Sequence, residues 1–289
     1  MADITINSVD SFPLAAFESC SSLKRLAIED IATVDLQSTF EHTSTKPQLE
    51  HLSIRRFSLA FSQILDWLLR NDSPDITQLR SVDFQTMNSE DVNRLPLLLQ
   101  QCSNSLTDLV IDPGNAYHTL FNLIDGTIAS SPEMCHLSLS NLHRLNSLTI
   151  RTRIWLSQEF WVSSTGEETI EARNLLSPLQ WIANIVQTLP EYSPLHHLAL
   201  RIHFRGDQAA LSRVDWNTLV QAVTSDRLKG LKSVELWVPH HDDRERKSGV
   251  IRVLEILQHD RHLSRLIEKG LLVIKEECDM TRRFAKASL

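Results

Sequence analysis

Gln48-Leu49-Glu50-His51-Leu52-Ser53-Ile54 places apolar residues at positions one, four and six of a run that starts at Leu49, with polar residues between them. The second half alternates apolar and polar, the pattern of a strand buried on one face only. The run recurs as Leu23-Leu26-Ile28, Leu79-Val82-Phe84, Leu106-Leu109-Ile111, Leu145-Leu148-Ile150, Leu195-Leu198-Leu200 and Leu231-Val234-Leu236. The starts at 23, 49, 79, 106, 145, 195 and 231 are separated by 26, 30, 27, 39, 50 and 36 residues. A short unit that cannot bury its apolar face alone must stack on its neighbours, so the recurrence predicts a solenoid.

Between these runs the period changes from two to about 3.6, the spacing of an amphipathic helix. Phe57 to Leu69 reads as one such helix, stopped by Asn71, Asp72 and Pro74. Ser89 opens a second that runs to about Cys102, with Pro96 expected in its first turns. Tyr117–Ile128, Glu171–Leu189, Asn217–Val223 and Val250 to Leu257, continued toward Ile267, supply the rest. Leu271-Leu272-Val273-Ile274 reads as a closing strand, and Ser138–His143 as a turn. The apolar patch Phe12–Phe17 suggests that residues 1–22 are either the tail of a helix from a preceding, partial repeat or a cap for the array. Residues 23–277 would form the array and 278–289 a tail.

The 289 residues, 42% apolar and 22% charged, can build an ordinary core. A net charge of −7 does not carry the bulk signature of a nucleic-acid-coating protein. Cys20, Cys102, Cys135 and Cys278 stand far apart and form no CxxC pair, so neither zinc nor a disulfide framework is expected. With no secretory start and no apolar run near about 20 residues, the expected compartment is cytoplasmic or nuclear, with no membrane partner.

Leu139-Ser-Asn-Leu-His-Arg-Leu-Asn-Ser-Leu-Thr-Ile150 and Leu228-Lys-Gly-Leu-Lys-Ser-Val-Glu-Leu236 resemble leucine-rich repeats, specifically the repeat region of fungal F-box/leucine-rich-repeat proteins. The likeness covers roughly residues 12 to 277. It implies an α/β fold, an irregular leucine-rich-repeat-like solenoid with short parallel strands on the concave side and helices on the convex side. Two departures stand out. The family's asparagine or cysteine at position nine is replaced by Ile31, Phe57, Met87, Gly114, Arg153, His203 and Pro239. And 22 residues are too few for an F-box, so only the substrate-reading half of such a ubiquitin-ligase receptor is implied.

If positions one, four and six are buried, then three, five and seven face outward. Those positions include Arg55, Asp83, Asp108, Asp112, Arg151, His197, Arg201 and Trp237. Asp83, Asp108 and Asp112 would form an acidic centre, Arg151, His197 and Arg201 a basic C-terminal half, and Trp237 an aromatic anchor. Small Ser147, Thr149 and Ala199 leave room between them. This pattern suits a monomeric, non-catalytic module that binds a protein or peptide of complementary charge, without nucleic acid. A hydrolase-type α/β enzyme and a truncated structural remnant are the alternatives. No Gly-x-Ser-x-Gly, Walker or dinucleotide fingerprint occurs, and no cofactor is expected. His240-His-Asp-Asp243 and His196-His197 are too cramped to converge on one metal ion. Trp155, Phe160 and Trp161 form a packed insertion on this reading, with Thr165 and Glu168 as a capping box.

Overall fold

The computed structural model describes residues 2–17, 20–35, 46–55, 60–71, 73–85, 89–112, 137–155, 178–205, 211–212, 214–239 and 246–277. Among them nine strands form one sheet: β1 (Ala2–Pro13), β2 (Leu23–Asp35), β3 (His51–Arg55), β4 (Ser81–Gln85), β5 (Asp108–Asp112), β6 (Ser147–Trp155), β7 (His197–Arg205), β8 (Ser233–Pro239) and β9 (Leu272–Glu277). Every pairing is parallel and the spatial order is the chain order, so each crossover advances one strand. The helices are α1 (Ala60–Leu68), α2 (Ser89–Gln101), α3 (Pro178–Gln187), α4 (Trp216–Val223), α5 (Arg246–His259) and α6 (Leu263–Glu268). The chain is therefore an α/β protein built on a parallel sheet.

The repeated motif sets the register. Leu26, Leu52, Val82, Leu109, Leu148, Leu198 and Val234, all at position four, pair successively across the sheet. They are at most 2% exposed, as are the position-six residues Ile28, Ile54, Phe84, Ile111, Ile150, Leu200 and Leu236. Each such side chain contributes about 1.5–3 kcal/mol of transfer free energy. At position two a backbone ladder fixes the same register. The Glu50 N–H donates to the Lys24 carbonyl, and Arg80, Thr107, Asn146, His196 and Lys232 each repeat this bond onto the preceding repeat at 2.8–2.9 Å. From Glu50 onward the accepting carbonyl takes a second N–H, from Ser81, Asp108, Ser147, His197 or Ser233. No helix-period reading could satisfy these carbonyls in this way.

The helices share one core with the strand positions one, four and six. Leu65 and Trp67 of α1, Leu95 and Leu98 of α2, Ile182 and Val186 of α3, Leu219 of α4 and Leu266 of α6 belong to a single buried cluster with the strand residues. Consecutive helices also touch one another, α1 with α2, α3 with α4, and α5 with α6. Arg94 of α2 ties to α1 through Asp66 Oδ2 at 2.8 Å and the Ser62 carbonyl at 3.1 Å.

Three expectations are corrected. The helix tail in residues 1–22 is instead strand β1 followed by a single 3-10 turn at Leu14–Phe17. Ile4 and Ile6 pair with Leu26 and Ile28, which extends the sheet by one strand. Pro96 sits eight residues into α2 rather than in its first turns. Buried Leu95, Leu98 and Leu99 around it hold the helix despite the lost bond. The helix expected to run on toward Ile267 breaks after His259, because the Asp260 carboxylate accepts the N–H groups of His262 and Leu263 and starts α6 afresh. Position nine, where the family's asparagine is replaced, lies within the strand in β2, β6, β7 and β8. Leu200, Ile202 and Phe204 keep alternating into the core, and Arg153 pairs with His203 in the extended ladder. A residue inside a strand needs no loop-bonding asparagine.

The expected helix at Tyr117–Ile128, Phe160, Trp161, the Thr165–Glu168 box, His240–Asp243, Cys135, Cys278 and the tail lie outside the described residues. Among the described residues no helix is long and apolar enough to cross a membrane.

Two predictions test this core. Leu148 is 0% exposed in the middle of the sheet. Leu148→Ala should cost about 2–5 kcal/mol, read as a lowered urea midpoint, whereas a truncation at Tyr192, 79% exposed, should leave the midpoint in place. Thr152 is buried and its Oγ1 has no hydrogen-bond partner among the described residues. Thr152→Val should therefore be neutral or raise stability by about 1 kcal/mol, and a fall in the urea midpoint would show that the hydroxyl is satisfied.

Candidate interaction face

Because the register is preserved, the outward positions stack into three rows across the sheet. Position three runs Asp3, Arg25, His51, Ser81, Asp108, Ser147, His197, Ser233. Position five runs Thr5, Ala27, Ser53, Asp83, Val110, Thr149, Ala199, Glu235, Val273. Position seven runs from Asn7, Glu29 and Arg55 through Gln85 and Asp112 to Arg151, Arg201, Trp237 and Lys275. Neighbours in a row are about 4.8 Å apart, and successive rows about 7 Å. None of these residues belongs to the apolar cluster shared with the helices.

Every sequence-predicted site residue lies in these rows, but they do not group as expected. Asp83 is only 9% exposed and is occupied by Arg55. The Arg55 Nε donates to Asp83 Oδ2 at 3.1 Å and Nη2 reaches the same oxygen, while Gln85 Nε2 donates to Oδ1 at 3.3 Å. Asp108, in the position-three row, accepts from Thr107 Oγ1 at 2.6 Å. Asp112 is four residues further along the same strand, about 13 Å away. The three aspartates therefore make no common acidic centre: one is neutralised and the other two stand at opposite margins of the face.

Positive charge is concentrated on the position-seven row. Arg151 and Arg201 are register partners on β6 and β7. Arg201 Cζ lies 5.5 Å from the Trp237 ring centroid, and Lys275 Nζ lies 4.9 Å from it. The Trp237 indole N–H donates to Glu235 Oε2 at 2.9 Å, and Lys275 forms an ion pair with Glu235 Oε1. The tryptophan is thus fixed by two cations on its ring and one carboxylate on its nitrogen, which makes it a preorganised wall. The Lys275 ammonium, more than the other causes, holds the Glu235 carboxyl below the usual carboxylate range. Burial lowers the Arg151 pKa, with Arg201 acting the same way and Asp83 and Asp112 opposing.

Position five of β8 places Glu235 on the outward face from sequence alone, whereas Lys275 is not reached by the motif. In β9 the place of the first leucine falls on Lys269, so the motif is broken where Lys275 would otherwise be read. The usable signal was Lys275 following the apolar run 271–274.

His197 stands apart, with Nδ1 2.8 Å from Ser233 Oγ. The other imidazole nitrogen has no hydrogen-bond partner among the described residues. Among the described residues no group of three or more His, Cys, Asp or Glu could hold a metal ion. A cleft of about 530 Å³ lined by Lys46, Arg70, Ser73 and Gln101 lies among the crossover ends, away from these rows.

The Glu235 pairing has a pH signature. Its folded pKa is depressed, so its contribution is present above the ordinary glutamate value of about 4.3 and is lost as pH falls through the lowered folded value. Both partners are about a third exposed, so Glu235→Gln should cost no more than about 1 kcal/mol at pH 7. Thermal melts of both proteins should converge as the pH drops through the carboxylate range, and a gap unchanged by acid would assign the cost to packing instead. Comparison with protein-family models, with curated proteins and with solved structures finds no match in any of the three.

Proposed function

We propose that the chain is an irregular leucine-rich-repeat-like solenoid that acts as a non-catalytic protein-interaction module, reading a protein or peptide on the three-row face. The role resembles that of the substrate-recognition half of an F-box-type ubiquitin-ligase receptor. The chain-order parallel sheet and the helices gathered into one core favour a coil over a doubly wound sheet, whose strand order reverses and whose helices cover both faces.

The observation that carries the binding role is the composition of the face. Charged and aromatic groups on a rigid, registered row border a middle row of Val110, Thr149 and Ala199, small enough to admit a partner's side chains. Rigid scaffolds reduce the entropy lost on association, and an aromatic held in place is a common energetic centre of an interface. The charges set which partner fits and how fast it arrives more than how tightly it is held.

Ala199→Trp fills the middle row without touching the core, so its melting temperature should stay close to that of the parent. In affinity capture from source-cell lysate, partners retained by the parent should be lost by Ala199→Trp and kept by Tyr192→Ala. Equal capture by all three proteins would remove this face as the binding surface.

A further inference from the structure

We infer that Arg151 and Arg201 form a seat for a single carboxylate, supplied by an acidic side chain of an extended peptide lying across the face; the peptide part of this inference rests on the interaction role proposed above. Two guanidinium groups on adjacent parallel strands are held at one strand spacing by the register. Like charges so placed repel, and a sheet keeps them there only if something offsets the cost. The Nε of Arg151 is buried without a hydrogen-bond partner among the described residues. A guanidinium half-removed from water with an N–H unsatisfied is costly, and a carboxylate placed against its fork would satisfy it by charge-assisted bonds.

The surroundings select the charge of the guest. Across β3 to β9, the position-five and position-seven rows hold Arg55, Arg151, Arg201 and Lys275 against Asp83, Asp112 and Glu235. Arg55 is engaged with Asp83, and Lys275 with Glu235. Among the described residues of these two rows on β5 to β7, Asp112 is the one carboxylate placed beside Arg151 and Arg201. A doubly charged group would face Asp112 on one side and Glu235 on the other. In the row beside the arginines, Thr149 and Ala199 leave space for the aliphatic part of the incoming side chain. Arg201 Cζ lies 5.5 Å over the Trp237 ring, a cation–π contact that favours holding this guanidinium against the tryptophan.

The arginine Nε–H resonances of the whole chain, observed by ¹H–¹⁵N correlation, read this seat directly. Arg151→Lys removes one resonance and so assigns Arg151 while keeping the charge. Sodium acetate should shift the Arg151 signal saturably, whereas sodium chloride at equal ionic strength should not. A blocked Ala-Glu-Ala tripeptide should act as acetate does, and its glutamine counterpart should be silent. Arg201→Gln should raise the acetate concentration for half-saturation about tenfold or more. Shifts that follow acetate and chloride alike would overturn the seat, with or without the variants. Inorganic phosphate saturating well below acetate would overturn the single-carboxylate assignment in favour of a phosphorylated group. The two proposals fail separately: saturable acetate binding together with capture indifferent to Ala199→Trp removes only the interaction role, and the reverse pair of results removes only the seat.

Discussion

One backbone interaction governs the molecule. At position two of the repeats from Lys24 to His196 a carbonyl accepts an N–H from the next repeat, and from Glu50 to His196 it accepts two. Parallel strands have no tight hairpin to set their register, so something must prevent slippage across crossovers of very different length. The doubled bond does this at the point where each crossover enters its strand. Its side chains add to it: Lys24 pairs with Glu50 at 3.1 Å, and His196 Nδ1 lies 2.7 Å from Asn146 Oδ1. A slip by one residue would turn Leu148 and Ile150 outward and Arg151 inward, and the apolar penalty alone forbids it.

The chemistry of the face follows from that register. Since no strand slips, a residue at position seven has the position-seven residues of its two neighbours at one spacing and their position-five residues on the diagonal. Arg55 therefore reaches Asp83 diagonally, and Lys275 reaches both Glu235 and the Trp237 ring. Half-burial of these groups matters, because their interactions are screened less than those between fully exposed charges. The N-terminal part of the face is thereby nearly self-neutralised, while the excess of cations sits on β6 and β7.

The strands with an intact motif were legible because leucine at position one and alternation after it are local signals. The first and last strands were harder. In β1 the place of the first leucine is taken by Ala2, and in β9 by Lys269, so each shows only half the pattern. Ile4-Thr5-Ile6 alternates, yet three residues cannot be told from a short apolar turn without their partner. The outward residues were legible as a set, since position parity is enough to face them. Their groupings were not. Whether Asp83 joins Asp112 or Arg55 depends on side-chain reach across strands, which no single-strand pattern encodes. The break at Asp260 was readable in principle, since an aspartate before His262 and Leu263 is an ordinary helix opening, but the continuing apolar period masked it.

The arginine pair lies where the sheet can least relax. β6 and β7 share a ladder of nine register pairs from Ser147–His197 to Trp155–Arg205, and Arg151–Arg201 is the fifth of them. Near a strand end, repulsion between like charges could be relieved by fraying or by a bulge. At the centre of a continuous ladder either response would break bonds on both sides. The crossovers around this pair, with strand starts 39 and 50 residues apart, are the longest between the intact motifs, yet the strands they join keep the common pitch. The ladder through β5, β6 and β7 thus keeps its register whatever the crossover length, and it holds the two arginine backbones at one strand spacing. The repulsion is opposed at the site by Asp112 on the Arg151 flank and by the Trp237 ring on the Arg201 flank.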